Sequence, residues 1–105
     1  DASAMVEIIQ AEDLGLVPLG GGGPAAERGE FTLGGRTPIN PSGGLESKGH
    51  PLGATGIGQL YELVTQLRGE AGARQVEGAR HAIQENGGGL QGIEEAAVAV
   101  HILSR

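Results

Sequence analysis

The sequence predicts an α/β fold in which helices cover a mixed β-sheet. Apolar residues recur at helical spacing between Ile57 and Leu67. Residues 96–103 form an almost unbroken run of small and β-branched apolar residues, which is typical of a strand buried on both faces. A glycine-rich segment, Asn40–Gly58, leads directly into the helical pattern. Together these features predict helices that pack on a sheet near the end of the chain.

The first predicted element is a helix over residues 4–14. Met5, Ile8 and Ile9 recur at helical spacing, and Gly15 follows where a helix cap belongs. Residues 18–35 come next and include four consecutive glycines at positions 20–23. Their low complexity predicts a mobile surface loop between the first helix and the rest of the chain.

The second predicted helix starts near Ile57. Its apolar side chains follow the spacing of one buried stripe, and Gly69 and Gly72 stand where the helix should end. Free backbone N–H groups and the positive end of the helix dipole collect at its start, which suits a phosphate, a carboxylate or a developing oxyanion. The stripe consists of Ile57, Leu60, Tyr61, Val64 and Leu67.

Two strands are predicted after this helix, over residues 80–84 and 96–103. His81 and His101 fall within them and are interpreted as packing or surface residues. No two of the three histidines have the spacing of metal ligands, so we expect no metal site.

Composition argues against several classes of function. The chain has 105 residues and a formal charge of −6 without a basic run, so we expect no nucleic-acid binding. It contains no apolar run of about 18 residues and no signal peptide, so we expect no membrane partner and a cytoplasmic location. The absence of cysteine excludes disulfides and thiol chemistry within this chain. With 21 glycines, one Phe and one Tyr, the chain is expected to be an incomplete domain.

The segment around His50 carries the most chemical information. Gly49 precedes His50, and Pro51 fixes the backbone directly after it, so the loop can hold one imidazole still. A structural histidine in a tight turn is the alternative interpretation. Residues 53–58 also look like a dinucleotide-binding fingerprint. That motif needs a preceding strand, whereas Pro51 and a glycine-rich loop stand here, so we reject it.

The same residues closely resemble the signature of the thiolase superfamily, in particular its sterol-carrier-protein-type, lipid-transfer branch. The resemblance covers nearly the whole chain and implies that residues 1–105 are a partial thiolase C-terminal domain. It implies a fragment of an acyl-CoA acyltransferase of the acetyl-CoA acetyltransferase type, whose nucleophilic cysteine belongs to a missing N-terminal half. The matching segments are residues 40–44 (Asn-Pro-Ser-Gly-Gly), Ser47–Gly56, Gln66–Val76, Glu85–Gly89, Asp1–Ala4 and Ala11–Leu16.

The resemblance also implies roles for individual residues. His50 would accept the proton of the acyl-accepting cysteine. A coenzyme A thioester would be the substrate, with no covalently bound cofactor. Glu85 stands where degradative and biosynthetic thiolases have a second, acid/base cysteine, and we interpret its carboxylate as the nearest available proton acceptor. The alternative is a solvent-facing strand end. The expected thioester-binding residues are Gly49, Gly53, Ala54 and Gly56.

Two departures from the family pattern leave other functions open. The sterol-carrier branch has an acid/base cysteine in a His-Asp-Cys-Phe motif. Here Ala2 stands at the position of that cysteine, and Ser3 stands at the position of the phenylalanine. Neither family thiol is therefore present, and the chain alone is expected to be inactive. The alternatives are a non-catalytic scaffold, a lipid-thioester-binding partner or part of a thiolase-like aldolase acting on coenzyme A thioesters. The expected partners are acyl-CoA, the missing N-terminal half and further copies of the chain in a homo-oligomer.

Overall fold

The computed structural model describes residues 3–93 and 95–105. Within these residues it contains four α-helices followed by two strands that form a sheet, so the predicted α/β fold class is confirmed. The elements are α1 (Ala4–Asp13), α2 (Gly22–Glu27), α3 (Gly44–Lys48), α4 (Thr55–Arg68), a 3₁₀ turn (Gly72–Arg74), β1 (His81–Gly88) and β2 (Ala97–Ser104).

The chain divides into two compact units. The first contains the residues up to His50 together with Arg74–Val76, and the second contains Pro51–Ala73 and Glu77–Arg105. No helix in the described part of the chain is both long and apolar enough to cross a membrane.

In the first unit, α1 confirms the helix predicted over residues 4–14. Ser3 caps its start, because the Ser3 hydroxyl accepts a hydrogen bond from the Val6 N–H at 3.3 Å. Gly15 follows the end of α1 with φ +69°, a backbone conformation that side chains other than glycine rarely adopt.

The second half of the glycine run is helical, so the prediction of a mobile surface loop over residues 18–35 is wrong where α2 packs on α1. Gly22 begins α2, and its N–H donates to the Glu12 carboxylate of α1 at 2.9 Å. Hydrogen bonds from the Gly20 and Gly22 N–H groups lower the pKa of Glu12. The lack of a side chain at Gly22 permits this packing, since a Cβ there would lie 2.7 Å from Cγ2 of Ile8. Glycine in this segment therefore serves close helix packing.

A small core holds the first unit together. Phe31 is 4% exposed, and its carbonyl accepts from the Ile39 N–H at 3.0 Å, which closes the segment that follows α2. The buried core residues are Ala11, Val17, Ala25 and Phe31.

A surface ion cluster lies beside this core. Arg28 and Arg36 donate to opposite oxygens of Glu30 at 2.7 and 2.9 Å. These hydrogen bonds and charges lower the pKa of the Glu30 carboxyl.

In the second unit, both predicted strands are confirmed, and they pair with each other. β1 and β2 are antiparallel, with His81 opposite Ser104 and Gly88 opposite Ala97. No parallel pair forms within the described residues, so the mixed pairing expected from the sequence is not seen there. β2 is exposed along almost its full length, although its sequence predicts burial on both faces.

Helix α4 confirms the second predicted helix and ends at Gly69, which has φ +76°. Its apolar stripe, however, is not buried as a whole: Ile57 is 69% exposed and Tyr61 is 70% exposed. The hairpin formed by β1 and β2 contacts α4 through Gly56 and Gln59 instead. Those two residues lie on a different side of the helix from Ile57 and Tyr61.

We predict that Gly22→Ala destabilises the protein by about 1–3 kcal/mol, because its Cβ would overlap Ile8 of α1. Gly23→Ala is the matched control, since no atom lies within 4 Å of a Cβ at that position. The control should be neutral or stabilising by up to about 1 kcal/mol. Urea unfolding measures both effects. Equal stability of the two variants would contradict the close packing of α2 on α1.

Candidate functional site

His50 is exposed and lies directly after α3. The sequence predicts a loop through this region, so the five-residue helix α3 is a correction. Gly49 ends α3 with φ +78°, and its N–H donates to the Leu45 carbonyl at 2.7 Å. The backbone on the N-terminal side of His50 is thus fixed by a helix end.

Beyond His50, Pro51 opens the turn that starts α4. The N–H groups of Ala54 and Thr55 both donate to the Pro51 carbonyl, at 2.9 and 3.2 Å. Gly53 lies within this turn with φ +81°, and no atom lies within 4 Å of a Cβ built on it. Glycine is therefore required at position 53 by backbone conformation alone.

The start of α4 carries no side-chain cap. Ala54 is the N-cap residue and makes no side-chain hydrogen bond to the helix. The positive end of the helix dipole favours a negatively charged group at this start. In the described chain α3 and a turn precede α4, and no strand does, which agrees with the rejection of a dinucleotide fingerprint.

Gly56 is the predicted site residue that the fold brings against β1. A Cβ at Gly56 would lie 3.6 Å from Cγ and from Oδ1 of Asn86. The Asn86 amide also donates to the Gly87 carbonyl at 2.9 Å. Asn86 was not among the residues predicted from the sequence. A signal was present, because Gln84 and Asn86 are polar at alternate positions of a strand and so share one face.

Glu85 lies elsewhere on the hairpin. Side chains alternate along a strand, so the Glu85 side chain leaves β1 on the face opposite to Gln84 and Asn86, away from α4. Its backbone carbonyl does reach α4, where it accepts from Nε2 of Gln59 at 3.0 Å. The structure thus places the amide of Asn86, and not the carboxylate of Glu85, next to the first turn of α4.

A second carboxylate, that of Glu95, lies beside the glycine turn, the three consecutive glycines at positions 87–89. It covers Gly87 so closely that a Cβ at Gly87 would collide with it. Gly87 and Glu85 are two residues apart in β1, so the Glu95 carboxylate lies over the same face of the sheet to which Glu85 points. Sequence reasoning missed Glu95, because only the chain reversal between the strands brings it there.

The N-terminal residues and the possible metal ligands complete the set of positions considered from the sequence. Ser3 serves as the cap of α1, whereas Asp1 and Ala2 lie outside the described residues. Across residues 3–93 and 95–105, no three His, Asp or Glu side chains are grouped closely enough to hold a metal ion.

The family profile and the similar proteins all indicate the same family. The whole chain, residues 1–105, matches the family profile described as thiolase C-terminal domain-like. It is 53% identical over 105 residues to the acetyl-CoA acetyltransferase of Methanothermobacter thermautotrophicus. The matched region covers 100% of this chain and 26% of that protein.

Two further relatives come from animals. Sterol carrier protein 2 of Bos taurus is 59% identical over 86 residues, or 82% of this chain and 16% of that protein. Non-specific lipid-transfer protein-like 2 of Caenorhabditis elegans is 48% identical over 97 residues, or 89% of this chain and 24% of that protein. The chain therefore spans about a quarter or less of the length of these relatives.

We predict that Gly53→Ala destabilises the protein by about 1–2 kcal/mol, because alanine is strained at the positive φ of this turn. Gly58→Ala is the control: Gly58 lies within α4, has open space around its Cβ position and should gain up to about 1 kcal/mol. Thermal unfolding compares the two variants. A stabilising Gly53→Ala change would show that the turn does not need glycine.

Proposed function

Because the chain belongs to the thiolase family and matches its C-terminal domain, we propose that it is part of an acyl-CoA acyltransferase of the acetyl-CoA acetyltransferase type. In that enzyme it supplies the Gly49–His50–Pro51 loop. The observation that carries this proposal is the similarity to an acetyl-CoA acetyltransferase along the full length of the chain.

His50 acts as the general base in this proposal. Its neutral imidazole accepts the proton of a cysteine thiol, and the resulting thiolate attacks the thioester carbonyl. A carbon–sulfur bond then forms to the cysteine, while coenzyme A leaves and takes up a proton. The 105 residues contain no cysteine, so the thiol comes from another part of the complete protein. Exposure of His50 and the fixed backbone at Gly49 support this role.

The start of α4 binds the thioester in the same proposal. Gly53, Ala54 and Gly56 present backbone without bulky side chains, and the positive end of the α4 dipole can stabilise negative charge on the thioester oxygen. Gly49 contributes in the same way beside His50. The coenzyme A thioester is a substrate, and no covalently bound cofactor is part of the proposal.

The exposed apolar surface of the second unit supports a further partner. Val98, Val100 and Ile102 share the sheet face that lies away from α4, and Ile102 is 75% exposed. Apolar surface of this kind usually marks an interface. We therefore propose that the rest of the thiolase fold covers this face, and that the complete protein assembles as a cytoplasmic homo-oligomer.

A scaffold or lipid-thioester-binding role is the second candidate. It is favoured by the position of Glu85, whose side chain points away from the start of α4. An aldolase acting on coenzyme A thioesters is the third candidate, because it would not need the acid/base thiols that this chain lacks.

His50→Ala in the complete protein should reduce acyl transfer by at least about 10²-fold, the usual contribution of a positioned base. Thiolysis of acetoacetyl-CoA measures this rate. His81→Ala is the matched control, since His81 is an exposed strand residue whose Nδ1 lies 3.0 Å from Oγ of Ser104. An unchanged rate in the His50 variant would return His50 to a structural role and favour the scaffold.

Glu85→Gln tests the proposed acid/base carboxylate in the same assay. If Glu85 transfers a proton, turnover should fall by about 10²-fold or more while folding and thioester binding persist. Glu95→Gln serves for comparison, because its carboxylate lies at the same glycine turn. Full activity of the Glu85 variant with loss in the Glu95 variant would assign the role to Glu95. Full activity of both variants would exclude Glu85 and Glu95 as the proton acceptor.

A further inference from the structure

Three side chains of the second unit form a continuous line of hydrogen bonds. Nδ1 of His101 lies 2.6 Å from Oε1 of Gln84. Nε2 of Gln84 donates to Oε1 of Gln59 at 2.7 Å, and Nε2 of Gln59 donates to the Glu85 carbonyl at 3.0 Å. The line therefore runs from β2 through β1 to α4 and returns to the β1 backbone.

The direction of this line is fixed by its last acceptor. A backbone carbonyl can only accept, so Gln59 must turn its NH₂ group towards Glu85 and its oxygen towards Gln84. Gln84 must then donate to Gln59 and turn its own oxygen towards His101. The only group that can complete the line is an N–H at Nδ1 of His101. The geometry thus requires the His101 proton on Nδ1 when the ring is neutral.

Burial makes this arrangement costly to break. Gln84 is 4% exposed, so an amide left without its partners would be deprived of water as well. The line ends at Glu85, directly before Asn86 and Gly87. Asn86 in turn lies against Gly56 in the first turn of α4. Whatever holds the Glu85 carbonyl therefore also sets the position of Asn86 and the glycine turn.

We propose that Gln84 and Gln59 are positioning residues, which hold the backbone from Glu85 to Gly87 against the first turns of α4 and fix His101 with its proton on Nδ1. The consequence of this positioning for thioester binding at the start of α4 rests on the proposed function. The assignment of the His101 proton does not. The two parts can therefore fail separately.

The first test is the ring protonation of His101 in the complete protein. Selective ¹⁵N labelling of histidine, with His101→Gln to assign the signal, distinguishes Nδ1–H from Nε2–H at alkaline pH. We expect Nδ1–H in the natural protein and its loss in Gln84→Leu. Gln59→Glu should keep Nδ1–H, since a carboxylate at 59 still accepts from Gln84. An Nε2–H ring in the natural protein would overturn the proposed line of hydrogen bonds.

The second test separates positioning from stability. Gln59→Glu cannot donate to the Glu85 carbonyl, so we expect kcat for acyl transfer to fall about 10-fold to 10²-fold, as for a misplaced site. KM should change far less. Gln66→Leu is the matched control on α4, since the buried Gln66 amide donates to Glu62 of the same helix at 3.0 Å and lies about two turns beyond Gln59. The control should leave kcat and the His101 proton unchanged.

Each result decides one part of the proposal. An unchanged kcat in Gln59→Glu would overturn the positioning role, as would an equal loss in Gln66→Leu. If Gln84→Leu does not fold, Gln59→Glu still decides positioning, and the natural protein still decides the His101 proton. If the natural protein lacks acyl transfer, the proposed function and this positioning role both fail, whereas the ¹⁵N result stands by itself.

Discussion

The requirement that buried amide groups be paired determines how the hairpin lies on α4. Gln84 is buried on β1, and its amide needs both a donor and an acceptor, which His101 and Gln59 supply. Gln59 then also reaches the Glu85 carbonyl. Polar contacts of this kind depend strongly on direction and distance, so they define the register between helix and hairpin more sharply than apolar packing would. Because the side of α4 that carries Gln59 faces the hairpin, Ile57 on another side of the helix is left exposed.

In the first unit, close approach through glycine has the corresponding role. Gly22 lets α2 lie against Ile8, and Glu12 then receives the N–H of Gly22. The contact between α1 and α2 and the hydrogen bond from Gly22 to Glu12 depend on each other, because a side chain at Gly22 would push its N–H away from the Glu12 carboxylate. A segment whose composition is typical of a flexible linker is therefore built into a helical pair, with Phe31 closing the core beside it.

The surface of the second unit agrees with a chain that spans a quarter or less of its relatives. Two strands do not make a sheet that is stable by itself, and Val100 and Ile102 stay exposed on the face away from α4. The apolar sequence of β2 suits a strand covered on both sides, and in the described chain only α4 covers it. The apolar residues of β2, which are typical of a buried strand, are thus exposed in this chain.

The sequence by itself determined α1, α4, both strands and the backbone at Gly53, because helical period, strand composition and glycine act over a few residues. It also placed the chain in its family through local motifs around His50, whose catalytic role stays a prediction. Only the tertiary structure decided that residues 22–27 are helical, which side of α4 is buried, and that Asn86, not Glu85, lies beside Gly56. Those outcomes depend on contacts between segments 10 to 30 residues apart, where pairing of buried polar groups and the space left by glycine outweigh local pattern.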